Sequence, residues 1–197
     1  MKKHFTLTEI LVVVFLIGVL TAIGFGMYSY AMNSAKESGT RALLTRLEAA
    51  LETCNTKLGY IPVGKTSGQF NEIYFEIDSA GNITDMTFAE ESFSSSQVSK
   101  ENFLKEFLRT IDAENLKKNL QQSGSHYVLI DGWGNPIYYA YPGKFNKTSY
   151  DLYSFGADGR MGSASSAATS SNLNGASITD FKDSSTNEML CDDICNF

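Results

Sequence analysis

Glu9 stands at the edge of Ile10-Leu11-Val12-Val13-Val14-Phe15-Leu16-Ile17, in a segment that stays uncharged from there until Lys36. A carboxylate in such a setting is costly, and acids at these positions are functional by default. The competing reading is an interfacial carboxylate that reaches lipid headgroups. Cys191 and Cys195 flank Asp192-Asp193-Ile194. They could close a small loop in an oxidising compartment, because a short loop can meet disulfide geometry. With Cys54 the cysteines number three, which gives no disulfide framework. No further Cys or His stands nearby to complete a zinc site, and no thioredoxin-type βαβ setting surrounds the pair. His4 and His126 are the only histidines. G-x-S-x-G, a phosphate loop and H-E-x-x-H are all missing from the sequence. The chemistry-bearing residues therefore point away from an enzyme.

The elements that must position these groups start with the apolar run itself. From Phe5 it exceeds the roughly 20 residues needed to cross a bilayer's hydrocarbon core, so residues 5–30 read as a membrane helix. Lys2 and Lys3 keep the N-terminus cytoplasmic and put the bulk of the chain outside the membrane. Gly24-Phe25-Gly26 is a poor signal-cleavage site, and the helical pattern continues past it. Residues 31–62 extend the helix amphipathically. Leu43, Leu47, Ala50, Leu51, Cys54 and Leu58 recur at spacings of three and four. Cys54 falls on that apolar face as a small buried hydrophobe. Gly59 and Pro62 supply the stop. The whole helix would be about 80 Å long at 1.5 Å per residue, half of it projecting from the membrane.

The chain of 197 residues suits one domain plus an anchor. Its net charge of −6 argues against nucleic acid as a partner. Residues 63–125 read as an inserted hairpin and helix. The strand pattern of Gln69–Ile77, the turn Asp78–Asn82 and the strand Ile83–Phe88 make the hairpin. Helical spacing then runs from Val98 to about Gln121, with Gly124 as its end. Residues 126–197 hold an antiparallel sheet and a tail. His126–Ile130, Ile137–Tyr141 and Tyr150–Phe155 are its strands, and Asp131, Gly132, Gly134 and Asn135 supply turn residues between the first two. Trp133 reads as a core anchor. The expected class is α+β: a long N-terminal transmembrane and amphipathic helix followed by a C-terminal antiparallel β-sheet domain.

Four motifs carry a resemblance. Phe5-Thr6-Leu7-Thr8-Glu9-Ile10-Leu11-Val12 resembles the leader junction of type IV pilins and type II secretion pseudopilins. Asp131-Gly132-Trp133-Gly134-Asn135-Pro136 is similar to the D-P-W-G-N-P signature of the major pseudopilin, and Tyr150–Gly159 to its D-I-Y-S-x-G-A-D-G stretch. Gly59-Tyr60-Ile61-Pro62 resembles the G-x-Y-P that ends the family's long helix. The resemblance implies a pilin-like fold. It implies that a prepilin peptidase removes residues 1–4 between His4 and Phe5, and that the new terminus at Phe5 is methylated. Glu9 then pairs with the amine of a neighbouring subunit during assembly. The family usually has Gly where this chain has His4, and often Pro where it has Gly26.

The same resemblance implies calcium in the loop after the sheet. Asp158 matches the acid of G-A-D-G, but Ala176 and Ser177 occupy positions that are acidic in the family. Calcium takes six to eight oxygens, and Asp158, Asn172, Asn174 and Asp180 are the candidate donors. The implied function is a structural filament subunit, a type II secretion pseudopilin in the inner membrane that assembles into a homo-oligomeric helical filament with other pseudopilins and the secretion machinery. The filament would be periplasmic or at the cell surface. A type IV pilus subunit for adhesion or motility is the alternative within the class. A membrane-anchored periplasmic binding module that never polymerises is the alternative outside it. N-terminal sequencing of the mature chain checks the class: the prepilin reading expects it to begin at Phe5, a simple anchor at Met1.

Overall fold

The computed structural model describes residues 7–63, 68–88, 100–162, 169–186, 188–189 and 192–197. The chain divides into two compact units, residues 1–36 and 37–197. A single helix, α1 (Leu7–Leu58), contributes to both.

In the first unit the described side chains of α1 are overwhelmingly apolar, and among the described residues none covers them. Its large apolar side chains from Leu7 (80% exposed) to Met32 (42% exposed) stand open. It is long and apolar enough to cross a membrane. Two of its hydroxyls bond within the helix: Thr21 donates to the Ile17 carbonyl at 2.6 Å and Ser29 to the Phe25 carbonyl at 3.2 Å. Such back-bonding is what a polar side chain needs where water is excluded.

In the second unit the same helix turns amphipathic. Leu43, Leu44, Leu47, Ala50, Leu51 and Cys54 are buried on one face. Gly59, at a φ of +64°, ends the helix in the left-handed conformation that glycine adopts at low cost. The buried face joins one core with Ile73, Phe75, Phe103, Phe107, Tyr139 and Leu152. Each large side chain buried here contributes about 1.5–3 kcal/mol. The Cys54 thiol lies 4.0 Å from the Phe103 carbonyl, and burial pushes it up to about 11. It is a core residue, as its spacing implied.

The sheet has seven strands among the described residues: β1 (Asn71–Ile77), β2 (Ile83–Phe88), β3 (Leu120–Ser123), β4 (His126–Leu129), β5 (Ile137–Ala140), β6 (Asp151–Ser154) and β7 (Ile194–Cys195). Their order is β3-β4-β1-β5-β6-β7, with β2 paired to β1, and every pairing is antiparallel. This places β1 at the centre. Tyr74 and Phe75 face β4, while Asn71 and Glu72 face β5. The hairpin read as an insertion is thus built into the sheet. β4 and β5 are joined by the bridge Ile130–Pro136 beside their connecting turn, and both pair with β1. The α+β class with a long N-terminal helix stands.

The helical pattern from Val98 to Gln121 resolves differently. Helix α2 (Lys100–Ile111) stops at Asp112, whose φ is +65°. Asp112 then caps a second helix, α3 (Ala113–Lys117), by accepting from the Glu114 amide at 3.2 Å. Leu120–Ser123 forms β3 instead of a last helical turn, because Gly124 at φ +62° folds it back on β4 with Leu120 opposite Leu129. A carboxylate that offers the backbone a local bond competes with the helix ladder, and periodicity alone does not register it.

Two tyrosines report on the sheet core. Burial raises the phenols of Tyr138 and Tyr150 above the ordinary 10.0, with Glu72 adding to the first and Glu52 and Glu48 to the second. Below pH 10 both phenols are neutral whether the chain is folded or not. Above it the unfolded chain ionises them and the folded chain does not, so stability falls as pH rises. In an alkaline titration followed by phenolate absorbance and near-UV circular dichroism, these two should ionise only as tertiary structure is lost. Full titration of all ten tyrosines with the near-UV signal intact would contradict their burial.

Candidate functional site

The assembly residues come first in the chain. Glu9 lies in the first turn of α1, on its exposed surface. A carboxylate there is favoured by the positive end of the helix dipole. Its neighbours along the helix are Ile10, Leu11, Val12 and Val13, each 53–63% exposed. A charged oxygen pair thus borders an uncovered apolar cylinder. His4 and Phe5, the expected cleavage and methylation residues, lie outside the described residues.

The second site is the turn after β4. Asp131 is buried at 3% exposure, and its carboxylate is fully used. Oδ1 accepts from the amides of Trp133 at 2.8 Å and Asn135 at 2.9 Å. Oδ2 accepts from the Ser154 hydroxyl at 2.7 Å. The backbone closes the same turn through Asp131 N–H to the Asn135 carbonyl, 2.8 Å. Gly134 sits at φ +94°, a conformation that side chains rarely adopt. From this turn two arms extend. The Gly132 amide donates to Thr40 Oγ1 on α1 at 3.0 Å, and Thr40 is buried. The Asn135 amide nitrogen donates to the Gly156 carbonyl at 2.8 Å. The two motifs read separately in the sequence, Asp131–Pro136 and Tyr150–Gly159, are one hydrogen-bonded network. Trp133 packs partly buried against the main core.

Of the four candidate calcium donors, Asp158, Asn174 and Asp180 are engaged in hydrogen bonds within the chain. Asp158 is exposed, and its Oδ1 accepts from the Arg160 amide at 2.8 Å. Asn172 lies in the first turn of helix α4 (Ser170–Gly175), which Thr169 caps. Both ends of the Asn174 amide are taken by Phe70: Oδ1 accepts from its N–H at 2.6 Å, and Nδ2 donates to its carbonyl at 3.3 Å. Asp180 closes a capping box in the short turn Ile178–Asp180, accepting from the Ser177 amide at 2.6 Å. Among the described residues no group of three or more His, Cys, Asp or Glu side chains is arranged to hold a metal ion. Cys195 carries a free, partly buried thiol that donates to the Phe197 carbonyl at 3.6 Å, and burial pushes it up to about 11. Its candidate partner Cys191 lies outside the described residues.

The residues that sequence reasoning missed are in the tail. The Asp192 carboxylate accepts from the amides of Ala157, 2.6 Å, and Asp158, 3.0 Å. Asp193, buried, accepts from the Gly162 amide at 2.6 Å. Asn196 accepts from the Leu152 amide and donates to the Tyr150 carbonyl, extending the sheet edge by side-chain bonds. The adjacency of Asp192 and Asp193 to Cys191 was the only available signal. Replacing Asp131 by Ala should be the most damaging single change in this region. It strands two amides and a hydroxyl, each worth about 1–3 kcal/mol when left unmade. A loss of roughly 2–4 kcal/mol in urea unfolding is expected; a change within 0.5 kcal/mol, the scale of ordinary surface substitutions, would remove the network's role.

A family model, type II secretion system protein G, matches residues 99–172. No curated protein matches the chain, and no solved structure does. The matched segment holds α2, α3, β3 to β6 and the whole Asp131–Gly156 network. It also takes in residues 99–125, which the motif resemblance had left aside. It does not reach the N-terminal leader motif. Members of that family are structural rather than catalytic, which fits the want of a catalytic set in the sequence. Together with the apolar helix α1, the match supports a pseudopilin-like family for this chain.

Proposed function

We propose that this protein is a pilin-like filament subunit, the pseudopilin of a type II secretion system. One observation carries the reading. Among the described residues, the large apolar side chains of the first unit's helix stand exposed, and the same chain carries a segment similar to protein G of that system. A surface of this kind must be covered by lipid or by other helices. In the inner membrane lipid covers it; in a filament, copies of the same helix do. The exchange costs little in apolar contact, because both environments are equally greasy. Register must then come from a polar group.

Glu9 supplies it. Cleavage before Phe5 leaves an ammonium four residues from Glu9, and in a helical stack the amine of one subunit meets the Glu9 of its neighbour. A subunit at the wrong height leaves both charges unpaired in a low dielectric. Leaving one partner of a buried pair uncompensated costs about 3–5 kcal/mol, enough to reject misplaced subunits. The second unit stays outside the membrane and rides on the filament. Growth from the inner membrane pushes exported proteins outward.

Glu9→Leu tests the mechanism. The variant should still insert in the membrane, since it only extends the apolar run. Filaments recovered from cells should fall by more than about tenfold, following the cost of the lost pair. Wild-type filament yield from this variant would overturn the assigned role.

A further inference from the structure

We infer that the stretch Gly156–Gly162 after β6 and the C-terminal end of α4 are held by the chain's own charges, and that they fold without a divalent cation. Two sets of backbone groups have to be neutralised there. The first is a set of amides at the start of the loop. Gly156 and Gly159 both adopt positive φ, +66° and +62°, and the turn leaves the N–H groups of Ala157 and Asp158 pointing out of the sheet end. Asp192 accepts both. Gly162, at φ +56°, offers a third amide, and Asp193 accepts that one. Adjacent carboxylates in the tail thus hold both ends of the stretch Gly156–Gly162.

The second set is a pair of carbonyls at the end of α4. The Lys144 ammonium donates to the carbonyls of Leu173, 3.3 Å, and Asn174, 2.6 Å. It also faces Asp180, which acts to hold the lysine charged against the burial that lowers it. A cation is favoured at the C-terminal end of a helix, and here the cation is covalently part of the chain. Carbonyl oxygens near a carboxylate are what calcium would need. The carbonyl oxygens of Leu173 and Asn174 already have an ammonium. The remaining amide oxygen of Asn174 is engaged by Phe70.

Close packing shows that the tail is seated rather than merely adjacent. A Cβ on Gly156 would stand 2.3 Å from the Asp192 carbonyl oxygen, and one on Gly162 would stand 2.3 Å from that of Asp180. Neither backbone could approach a side chain so closely. β7 pairs Ile194 with Ser154 and Cys195 with Tyr153, which fixes the two acids just before it. Phe197 packs on Phe145, Phe181 and Tyr153, with ring centroids 4.4, 5.7 and 6.1 Å apart.

The experiment uses the full-length chain in detergent micelles, with calcium or with chelator, and reads thermal melting and hydrogen exchange. Wild-type protein should melt at the same temperature in both, and the amides of Ala157, Asp158 and Gly162 should be equally protected. Asp192→Ala should lower the midpoint by about 5–10 °C, the shift expected for two charge-assisted bonds in a chain of this size, and by the same amount in calcium and chelator. A higher wild-type midpoint in calcium, or faster exchange of those three amides in chelator, would overturn the inference. So would an Asp192→Ala variant that melts like wild type. None of these readings depends on filament assembly, so a failure here is separate from a failure of Glu9→Leu.

Discussion

Asp131 has to keep a buried carboxylate solvated by the protein alone. Two amides and a hydroxyl supply what water would. Those three donors come from its own turn and from β6, so the turn is tied to a strand beyond the one it leads into. Thr40 on α1 takes the next amide, and Asn135 reaches the Gly156 carbonyl. Helix, turn, strand and loop are therefore set in place by one residue's demand for partners. A buried charge left partly satisfied is worse than none, which makes the arrangement cooperative. The segment similar to protein G of type II secretion contains nearly all of it.

The two faces of the sheet then serve different ends. Strand alternation sends Ile137, Tyr139 and Leu152 toward α1 and α2. It sends Tyr138, Ala140 and Tyr153 to a second cluster with Phe70, Phe155, Leu173 and Phe181. The first core fixes the helix that becomes the filament backbone in the proposed assembly. The second is aromatic and carries the loop and tail. Edge-to-face pairs there, such as Tyr153 with Phe155 at 5.0 Å, contribute beyond simple burial. Charges on the loop side are arranged in opposition: carboxylates on amides, an ammonium on carbonyls.

The long helix changes character along its length. Up to Met32 it has no preferred face, and from Leu43 it has one. The change coincides with the first charges after Glu9, namely Lys36, Glu37 and Arg41. The Glu37–Arg41 pair, 2.9 Å apart at i and i+4, marks the start of a water-facing surface, though exposed pairs of this sort add little stability.

The apolar run, its lone acid, the amphipathic continuation and its stop at Gly59 were all legible from residue type and spacing. So were β2 and the strands around Asp131. These features depend on neighbours within a few residues, and sequence records such neighbours directly. The break at Asp112, the strand at Leu120–Ser123 and the central place of β1 were not legible. Each depends on which distant backbone is available to bond: β4 for Leu120, β4 and β5 for Asn71–Phe75. The tail acids were invisible for the same reason. Asp192 and Ala157 are 35 residues apart, and nothing local says that they meet. Sequence by itself determined what kind of surface each segment must hide. Tertiary structure alone decided which partner hides it, because hydrogen bonds and ridges of side chains are satisfied by proximity in space and not along the chain.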